Sequence, residues 1–247
     1  MTSGAAGHRI EIHEALPSTS DYVAARAASG EAAGLVVIAA RQTAGRGTRG
    51  RAWESPPGNL YLSLLLRPGG ALREAPQWSL LAAVALADAL ADLLPDARAM
   101  ALKWPNDVLL HGCKLAGILA EAEAGADGGL AWLVLGFGVN LAHAPALPDR
   151  ATACLADAGV APPQPEIFAA TLLARLVHWQ GVQARSGFAP IRVAWLARGP
   201  VLEAPLRVRI AGGRMETGRF AGLAEDGSLL LAGEGRTHAL AAGEVAV

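Results

Sequence analysis

Residues 42–53 combine the residue types that proteins use to hold anions. Arginine and glycine alternate through residues 45–51, and Trp53 follows closely. Glycines let a backbone approach a ligand and let N–H groups converge on an anion. A guanidinium group fits carboxylate and phosphate oxygens, and an indole can cover a flat ring. The stretch predicts a binding loop for a substrate with concentrated negative charge and an aromatic part. Read alone, it also fits a mobile, solvated loop.

Lysine is almost absent from the chain. Of the 21 basic residues, 19 are arginine and two are lysine, Lys103 and Lys114. A compact ammonium can sit on a single reacting oxygen, whereas guanidinium is broad and planar. We therefore expect the two lysines to do work that arginine cannot do. Asparagine is equally rare, and Asn59, Asn106 and Asn140 all lie in motif-like stretches.

Residues 102–108 place a lysine, an amide and a carboxylate within five positions, beside an indole and a proline. Apolar residues flank this stretch on both sides, which predicts a turn between strands. An Asn-Asp pair in a turn usually serves local backbone bonding. The density of functional groups here favours a site over a simple turn.

Two further polar stretches lie at the ends of predicted elements. Gly136 and Gly138 precede Asn140 at a predicted strand end, where they indicate either close backbone approach to a ligand or a bulge. Ser18 and Thr19 precede an alanine-rich helix, where hydroxyls usually cap the first turn. A helix N-terminus can also bind an anionic or carbonyl-bearing ligand, and the two interpretations are compatible.

Apolar runs and their breaks predict the elements that position these residues. We expect strands at 9–13, 35–40, 59–66, 108–110, 113–121 and 130–135. We expect helices at 22–28, 77–94, 166–185 and 190–197, and an irregular stretch with one helical turn at 143–165. From about residue 199 the pattern changes to short strands and glycine turns, which predicts a small all-β module.

Composition excludes several classes of protein. With 52% apolar and 17% charged residues, the 247-residue chain can bury a large core. The net charge of −1 does not fit a general nucleic-acid binder. Two cysteines are too few for a disulfide framework, and no signal peptide or membrane-length apolar window is visible, so we expect a cytoplasmic protein. The six histidines are scattered without metal-ligand spacing.

The polar residues include no Cys-His or Ser-His-Asp nucleophile set. A cationic, glycine-lined pocket without a nucleophile suits reactions that depend on positioning and charge neutralisation. Joining a carboxylate to the α-phosphate of ATP is such a reaction, because two anions must meet. No Gly-x-x-x-x-Gly-Lys-Ser/Thr loop is present, so the chain is not a P-loop enzyme.

Four segments together resemble the motifs of biotin protein ligases. They are the loop at 45–53, Lys103-Trp104-Pro105-Asn106-Asp107, Lys114-Leu115-Ala116-Gly117-Ile118-Leu119 and Gly136-Phe137-Gly138-Val139-Asn140. Ser18-Thr19 and the C-terminal β-module match as well. The resemblance covers nearly the whole chain in order, and the joint pattern is highly specific.

The resemblance implies an activity and a set of site residues. Members of this family activate biotin with ATP to biotinyl-5′-adenylate, release pyrophosphate and pass biotin to a lysine of a carrier domain. The implied catalytic residues are Lys114, which would hold the biotin carboxylate and later the acyl carbonyl, and Arg46. The implied biotin site comprises Ser18, Thr19, Ser20, Gln42, Gly45, Arg46, Gly47, Thr48, Lys114, Gly117, Gly136 and Gly138. The implied ATP site comprises Arg49, Arg51, Trp53, Lys103, Asn106, Asp107 and Asn140, with ATP bound together with Mg2+ and no metal site built from the protein.

The resemblance also implies the fold and the partners. It implies an α+β fold, similar to class II aminoacyl-tRNA synthetases, with a mixed or antiparallel sheet and packed helices. Residues 1–198 would form the catalytic domain and residues 199–247 a small SH3-like β-barrel. The partner would be a biotin carboxyl carrier protein, from acetyl-CoA carboxylase or a similar biotin-dependent carboxylase. A homodimer is expected, as is common in the family.

Some family members carry an N-terminal DNA-binding domain and repress transcription. This sequence begins at the predicted catalytic strand, so we expect the monofunctional type, with no nucleic-acid partner and no membrane association. Two positions depart from the family pattern: Ser20 replaces an asparagine and Thr48 replaces an arginine. The first departure affects one biotin contact. The second is expected to let the activated intermediate escape faster, unless Arg49 or Arg51 compensates.

Two alternatives remain open at this point. A lipoate ligase or octanoyl transferase would resemble this fold, although these enzymes lack the Gly/Arg loop as it is written here. A non-catalytic biotin-binding regulator is the other alternative, and the presence of both lysines argues against it.

Overall fold

The computed structural model describes residues 2–3, 7–126, 128–148, 150–233 and 235–246, which form two β-sheets and four α-helices. The strands of the larger sheet are β1 (Thr2–Ser3), β2 (Arg9–Leu16), β3 (Leu35–Gln42), β4 (Leu60–Leu66), β5 (Met100–Lys103), β6 (Asp107–Leu110), β7 (Cys113–Ala124) and β8 (Leu130–Val139). The helices are α1 (Thr19–Ala28), α2 (Ala75–Ala91), α3 (Pro165–Ser186) and α4 (Ala189–Leu196).

The larger sheet is mixed, with the strand order β1-β2-β3-β4-β8-β7-β6-β5. Only β2 and β3 run parallel among these neighbours, since every other described pair is antiparallel. The predicted α+β class is therefore confirmed. Each strand predicted before residue 140 coincides with an observed strand, and the irregular stretch contains a short 3-10 helix at Leu155–Ala158. The edge strand β1 was not predicted.

Both faces of this sheet are covered by helices. Val36 and Ile38 of β3 join the large core that contains α2, α3 and α4. Leu35 and Val37, the alternate residues of the same strand, pack with Val23 of α1 on the other face. Side chains alternate between the faces of a strand, so a continuous apolar run serves two cores. The candidate site lies on the α1 face.

Helix α2 is buried on all sides in its central turns, which explains why its sequence is apolar without a polar stripe. It begins at Ala75 and ends at Ala91, three residues before the predicted end. The chain leaves the helix ahead of Pro95, because proline removes a backbone donor and disfavours helical geometry in the residue before it. No helix among the described residues is both long enough and apolar enough to cross a membrane.

The smaller sheet is antiparallel and lies at the C-terminal end of the chain. Its strands are β9 (Pro205–Arg209), β10 (Met215–Leu223), β11 (Leu229–Gly233), β12 (Arg236–Leu240) and β13 (Glu244–Val245), in the order β12-β11-β10-β9-β13. The short strands expected from the sequence, at 206–210, 218–221, 228–232 and 237–240, overlap the first four of these. The expected barrel is not closed within the described residues, because the edge strands β12 and β13 do not pair. Strand β13 has only two residues, and both pair with β9.

The two sheets share one hydrophobic core. Trp195 of α4 lies 6.5 Å from Phe220 of β10 between ring centroids. The buried indole of Trp104 donates a hydrogen bond to the carbonyl oxygen of Gly227, at 3.1 Å. The tryptophan of the 102–108 turn therefore fastens the C-terminal sheet to the edge of the larger one. The division of the chain at residue 198 stays a prediction.

Candidate functional site

The loop at residues 42–53 is shaped by its own backbone. It leaves the end of β3, as predicted. The amide of Trp53 donates to the carbonyl of Gly45 at 2.9 Å, and the amide of Gly47 donates to the carbonyl of Arg51 at 2.8 Å. These bonds close the loop into a narrow ribbon with a 3-10 turn at its tip, Thr48–Gly50. These backbone hydrogen bonds thus fix the positions of the arginine residues in the loop. The chain returns toward the sheet at Trp53.

The indole of Trp53 rests on glycines of β7 and β8. Gly117 and Gly138 are directly paired across the two strands. A Cβ atom on Gly138 would lie 2.4 Å from the indole, and one on Gly117 would lie 3.0 Å from it. Glycine is needed at Gly138 because any side chain there would overlap the ring. The tryptophan therefore packs where the sheet has no side chains.

Gly136 and Gly138 lie among the last four residues of β8, which continues to Val139, four residues beyond the predicted strand. Both stay in regular register with β4 and β7, and the only irregularity between β7 and β8 lies at Glu123 and Ala124, so the bulge alternative is wrong. Backbone pairing does not need a side chain, which is why the strand continues through both glycines. A Cβ atom on Gly136 would lie 2.4 Å from the hydroxyl oxygen of Ser20.

A chain of hydroxyl and amide groups lies beside this glycine surface. The hydroxyl of Ser63 donates to that of Thr19 at 2.9 Å, and the hydroxyl of Thr19 donates to Oε1 of Gln42 at 3.2 Å. The Thr19 backbone amide donates to the same oxygen at 2.8 Å, and the hydroxyls of Ser20 and Ser63 are 3.0 Å apart. Sequence reasoning missed Ser63. Its signal was a single serine within the leucine-rich, fully buried strand β4.

Two predicted biotin-site residues stabilise the backbone around the site. Ser18 caps α1, since its hydroxyl oxygen accepts a hydrogen bond from the amide of Asp21 at 3.2 Å, which confirms the capping interpretation. A Cβ atom on Gly45 would lie 2.5 Å from the carbonyl oxygen of Trp53, so the missing side chain lets the two arms of the loop approach. Neither Ser18 nor Gly45 is among the residues that line the cavities described below.

Asp107 joins the two lysines of the chain. Its carboxylate lies 2.6 Å from the ammonium of Lys114 through Oδ1 and 3.2 Å from that of Lys103 through Oδ2. All three side chains are almost completely buried. Lys103 and Asp107 flank the predicted turn between β5 and β6, and Lys114 follows on β7. The hairpin therefore brings together the two cations that composition singled out.

Burial and neighbouring charges set the protonation of Lys114. Desolvation lowers the pKa of its ammonium, while Asp107 opposes the shift and Arg150 adds to it. The ammonium also lies 5.3 Å from the centre of the Trp53 indole, within range of a cation–π contact. Such a partly desolvated cation interacts strongly with an incoming carboxylate or phosphate.

Two cavities meet at Lys114. The first has a volume of ≈40 Å³, with the Trp53 indole among its walls. It is lined by Thr19, Ser20, Gln42, Arg46, Gly47, Thr48, Trp53, Asn106, Lys114, Gly117, Ile118, Leu119, Gly136, Phe137 and Gly138. The second has a volume of ≈300 Å³. It is lined by Gly47, Thr48, Arg51, Ala52, Trp53, Glu54, Lys114, Asn140, Pro145, Leu147, Arg150 and Thr152.

The predicted binding sets separate only in part, because Trp53 and Asn106 of the predicted ATP site also line the first cavity. Ten of the twelve predicted biotin-site residues line the first, all except Ser18 and Gly45. Of the predicted ATP-site residues, Arg51, Trp53 and Asn140 line the second. Two buried polar atoms of the site, Nε1 of Trp53 and Oδ1 of Asn140, have no hydrogen-bond partner in the structure. Buried polar groups are normally paired, so both atoms indicate ligand contacts.

Three predicted residues bond to other protein groups. Arg46, which lines the first cavity, bridges Glu121, at 2.9 Å, and Asp21, at 2.5 Å. The amide of Asn106 donates to the carbonyl of Ile118 at 2.6 Å, which fastens the turn to β7. Arg49 donates to the carbonyl of Arg209 at 2.9 Å, on the C-terminal sheet.

The described residues contain no group of three or more His, Cys, Asp or Glu side chains that could hold a metal ion. A magnesium ion is commonly held by substrate phosphates and only one or two carboxylates, so such a group is not required for an ion that arrives with a nucleotide.

Comparison with known proteins identifies relatives of this chain. The model of the biotin/lipoate A/B protein ligase family matches residues 13–140. The biotin--[acetyl-CoA-carboxylase] ligase of Paracoccus denitrificans is 41% identical over 220 residues, which cover 85% of this chain and 88% of that one. The protein of the same name from Mycobacterium tuberculosis is 35% identical and covers 98% of this chain and 90% of its own length.

A solved structure shares the fold. The biotin protein ligase of Aquifex aeolicus, in complex with biotin and ATP, superposes with a TM-score of 0.79. The match covers 96% of this chain and 97% of that one, at 24% sequence identity. This similarity extends through both β-sheets.

Proposed function

The chain belongs to the biotin/lipoate A/B protein ligase family, and from this premise we propose that it is an ATP-dependent biotin ligase. It joins biotin to AMP and then transfers biotin to a lysine of a biotin carboxyl carrier protein. The observation that carries this proposal is the position of Lys114, whose side chain borders both cavities. A biotin carboxylate in the first cavity and an α-phosphate in the second would meet at this ammonium.

The reaction needs positioning more than a nucleophilic side chain. In the first step a carboxylate oxygen of biotin bonds to the α-phosphorus of ATP. The bond from that phosphorus to the bridging oxygen breaks, and pyrophosphate leaves with the electron pair. In the second step the carrier amine attacks the acyl carbon, AMP leaves with its oxygen, and the amine loses a proton. Lys114 offsets the repulsion between the two anions in the first step and polarises the acyl oxygen in the second.

The glycine surface and the hydroxyl chain suit the rest of biotin. Thr19, Ser20 and Gln42 offer hydrogen-bonding groups in the lining of the first cavity, to which Lys114 also belongs. The volume of that cavity, ≈40 Å³, is small for a ligand of the size of biotin. In this proposal the loop at 42–53 moves outward with Trp53 when biotin enters. The Trp53 ring can then cover the reacting groups and exclude water.

Magnesium belongs to this proposal as the counter-ion of the ATP phosphates, and it supplies neutralisation of their charge. Asp107 orients both ammonium groups through its two carboxylate oxygens. The Lys114 ammonium has three N–H donors, so it can bind an entering carboxylate and Asp107 at the same time.

The test is biotin transfer to a purified carrier domain, measured with ATP and magnesium, together with biotin-dependent release of pyrophosphate. The wild type should show both activities, and Lys114→Ala should lose both. An unchanged rate in Lys114→Ala would refute the assignment of that residue. Activity with lipoate in place of biotin would favour the lipoate alternative, and no activity in the folded wild type would favour a binding regulator.

Further parts of the proposal concern partners and compartment. We propose a homodimer that does not bind nucleic acid and works in the cytoplasm, where Cys113 and Cys154, free thiols in the structure, stay reduced. Analytical ultracentrifugation tests the dimer, and a monomer at micromolar concentration with both substrates present would contradict it. A gel shift with the host's biotin operon region tests DNA binding.

A further inference from the structure

Asn59 is the one asparagine of the chain that neither predicted substrate site contains. It directly precedes β4, and it is only 1% exposed. Burying an amide side chain is unfavourable unless its donor and acceptor atoms are paired. Three hydrogen bonds pair this amide with one short segment of the chain, which starts just after β8.

This segment, residues 141–148, opens the irregular stretch that follows β8. Oδ1 of Asn59 accepts hydrogen bonds from the backbone amides of Ala142, at 2.9 Å, and His143, at 3.0 Å. Nδ2 donates to the carbonyl oxygen of His143 at 2.8 Å. A Cβ atom on the neighbouring Gly58 would lie 3.2 Å from the Cβ of Ala142. The start of β4 and the segment 141–148 are therefore in close contact and joined by one side chain.

The amide of Asn59 acts where the backbone pairing of the sheet ends. Leu60, the first residue of β4, pairs with Val139, the last residue of β8. Beyond this pair the chain turns, and the backbone amide of Asn140 donates to a carbonyl of β7 at 2.9 Å. An asparagine side chain offers the same donor and acceptor groups as a peptide unit. It can therefore hold a segment that no longer pairs with a strand.

The segment 141–148 forms part of the wall of the second cavity. The cavity residues that lie in it or next to it are Asn140, Pro145, Leu147 and Thr152. The hydroxyl of Thr152 donates to the carbonyl of Pro145, and the amide of Lys114 on β7 donates to the carbonyl of Ala151 at 2.9 Å. The wall is thus fixed to β7 at its far end and to Asn59 at its near end.

The side chain of Asn140 depends on the same arrangement. Its Nδ2 donates to the carbonyl of Ala153 at 3.1 Å, whereas its buried Oδ1 has no hydrogen-bond partner among the described residues. Asn59 holds the backbone two and three residues after Asn140. A shift of that backbone would turn the unpaired oxygen away from a ligand in the second cavity.

We propose that Asn59 is a positioning residue for ATP, which holds the segment 141–148 where its residues and Asn140 can contact the nucleotide. The proposal rests on the proposed function, because it takes the second cavity as the ATP site. Asn59 itself lines neither cavity. The segment that it holds contributes no residue to the lining of the first cavity, so loss of the amide should weaken ATP binding and spare biotin binding.

The experiment titrates the unliganded protein with magnesium ATP and, separately, with biotin in a calorimeter. Asn59→Ala should bind ATP roughly tenfold or more weakly, because small displacements of contact groups are costly, and should bind biotin as the wild type does. Asn59→Asp keeps the acceptor for both amides and loses the donor, so its ATP affinity should be intermediate. The matched control is Asp96→Ala, which also removes a side-chain acceptor of a backbone amide, that of Arg98 at 2.9 Å. It should change neither affinity.

Steady-state kinetics and urea unfolding distinguish positioning from a purely structural role. Asn59→Ala should raise the KM for ATP and leave the KM for biotin unchanged. A lower unfolding midpoint with wild-type affinity and KM for ATP would overturn the proposal, as would an equal loss for both substrates. Asn59→Asp carries the same comparison where the alanine variant does not fold.

The wild type separates this proposal from the proposed function. A wild type that does not bind ATP would overturn the role of Asn59. A wild type that binds ATP through a site weakened by Asn59→Ala, yet releases no pyrophosphate from ATP and biotin, would support the positioning role and refute the proposed function.

Discussion

Replacing Asp107 by asparagine keeps the shape of the side chain and removes the charge that both lysines contact. Lys103 and Lys114 would then be two neighbouring cations with side chains only 10% and 14% exposed. Breaking a buried ion pair in this way costs about 3–5 kcal/mol. The protein can escape part of this cost by releasing a proton from one lysine. At pH 7.5 that release costs at most about 4 kcal/mol for an ordinary pKa of 10.5, at 1.36 kcal/mol per unit.

These two routes set the expected loss of stability at about 3–4 kcal/mol at pH 7.5. They also set its pH dependence. The pKa of Lys114 is already lowered by desolvation, and it falls further without Asp107. The unfolded chain then binds a proton that the folded variant lacks, so the stability of the variant rises with pH up to the unfolded pKa. Between pH 7.5 and 9.5 the difference in stability from the wild type should therefore shrink.

Urea unfolding followed by circular dichroism at pH 7.5 and 9.5 measures both quantities. The matched control is Asp96→Asn, which removes the carboxylate of an exposed pair with Arg98 and should leave stability unchanged. A loss below about 1 kcal/mol for Asp107→Asn at pH 7.5 would refute the assignment of a buried, shared ion pair. So would a loss of the same size at both pH values.

Three other perturbations test the remaining parts of the site. Gly138→Ala should slow biotin transfer roughly tenfold or more, because its methyl group would lie 2.4 Å from the Trp53 ring, whereas Gly233→Ala, with its nearest neighbour at 3.6 Å, should not. Initial rates on one carrier domain compare the two variants. Glu244→Gln should lose about 1–2 kcal/mol near neutral pH, because the 1.36 kcal/mol per pKa unit is screened at the arginines that contact this carboxylate, which are a third exposed. The carboxyl pKa falls from 4.5 to about 2, so this stability is complete above pH 4.5 and disappears toward pH 2; acid-unfolding curves that stay apart below pH 2 would contradict it. Thr48→Arg should reduce stray biotinylation of bystander proteins, since Thr48 borders both cavities, and equal leakage would reject the idea.

Local sequence patterns were sufficient to predict where the helices and strands lie, but they did not predict how the strands pair. The strand at 35–42 and the hairpin at 107–124 follow from apolar runs and turn residues, which act over a few positions. Register is a long-range property. Nothing near Gly117 or Gly138 in the sequence shows that these two residues face each other and receive an indole. From the sequence, we interpreted these glycines as a surface for the ligand. The structure shows that the indole of Trp53 packs on them.

The same limit applies to the charged groups. Composition identified the two lysines, but the partner that joins them depends on how the hairpin brings Lys114 back to Asp107. Arg51 lies in the loop after β3 and Glu244 lies in β13, 193 positions away, so no local signal could connect them. Ser63 was the exception, because a hydroxyl in a fully buried strand needs a partner and could have been singled out.

The ammonium pair explains why an arginine-rich chain keeps lysine at these two positions. Each oxygen of the Asp107 carboxylate faces one cation, Oδ1 toward Lys114 and Oδ2 toward Lys103. A guanidinium at either position would take both oxygens in its fork and leave the other cation unpaired in a buried site. Its planar head would also keep its donors on the carboxylate, whereas an ammonium can share three donors between Asp107 and a substrate anion. Sharing one carboxylate between two cations, with donors left over, therefore requires lysine at both places.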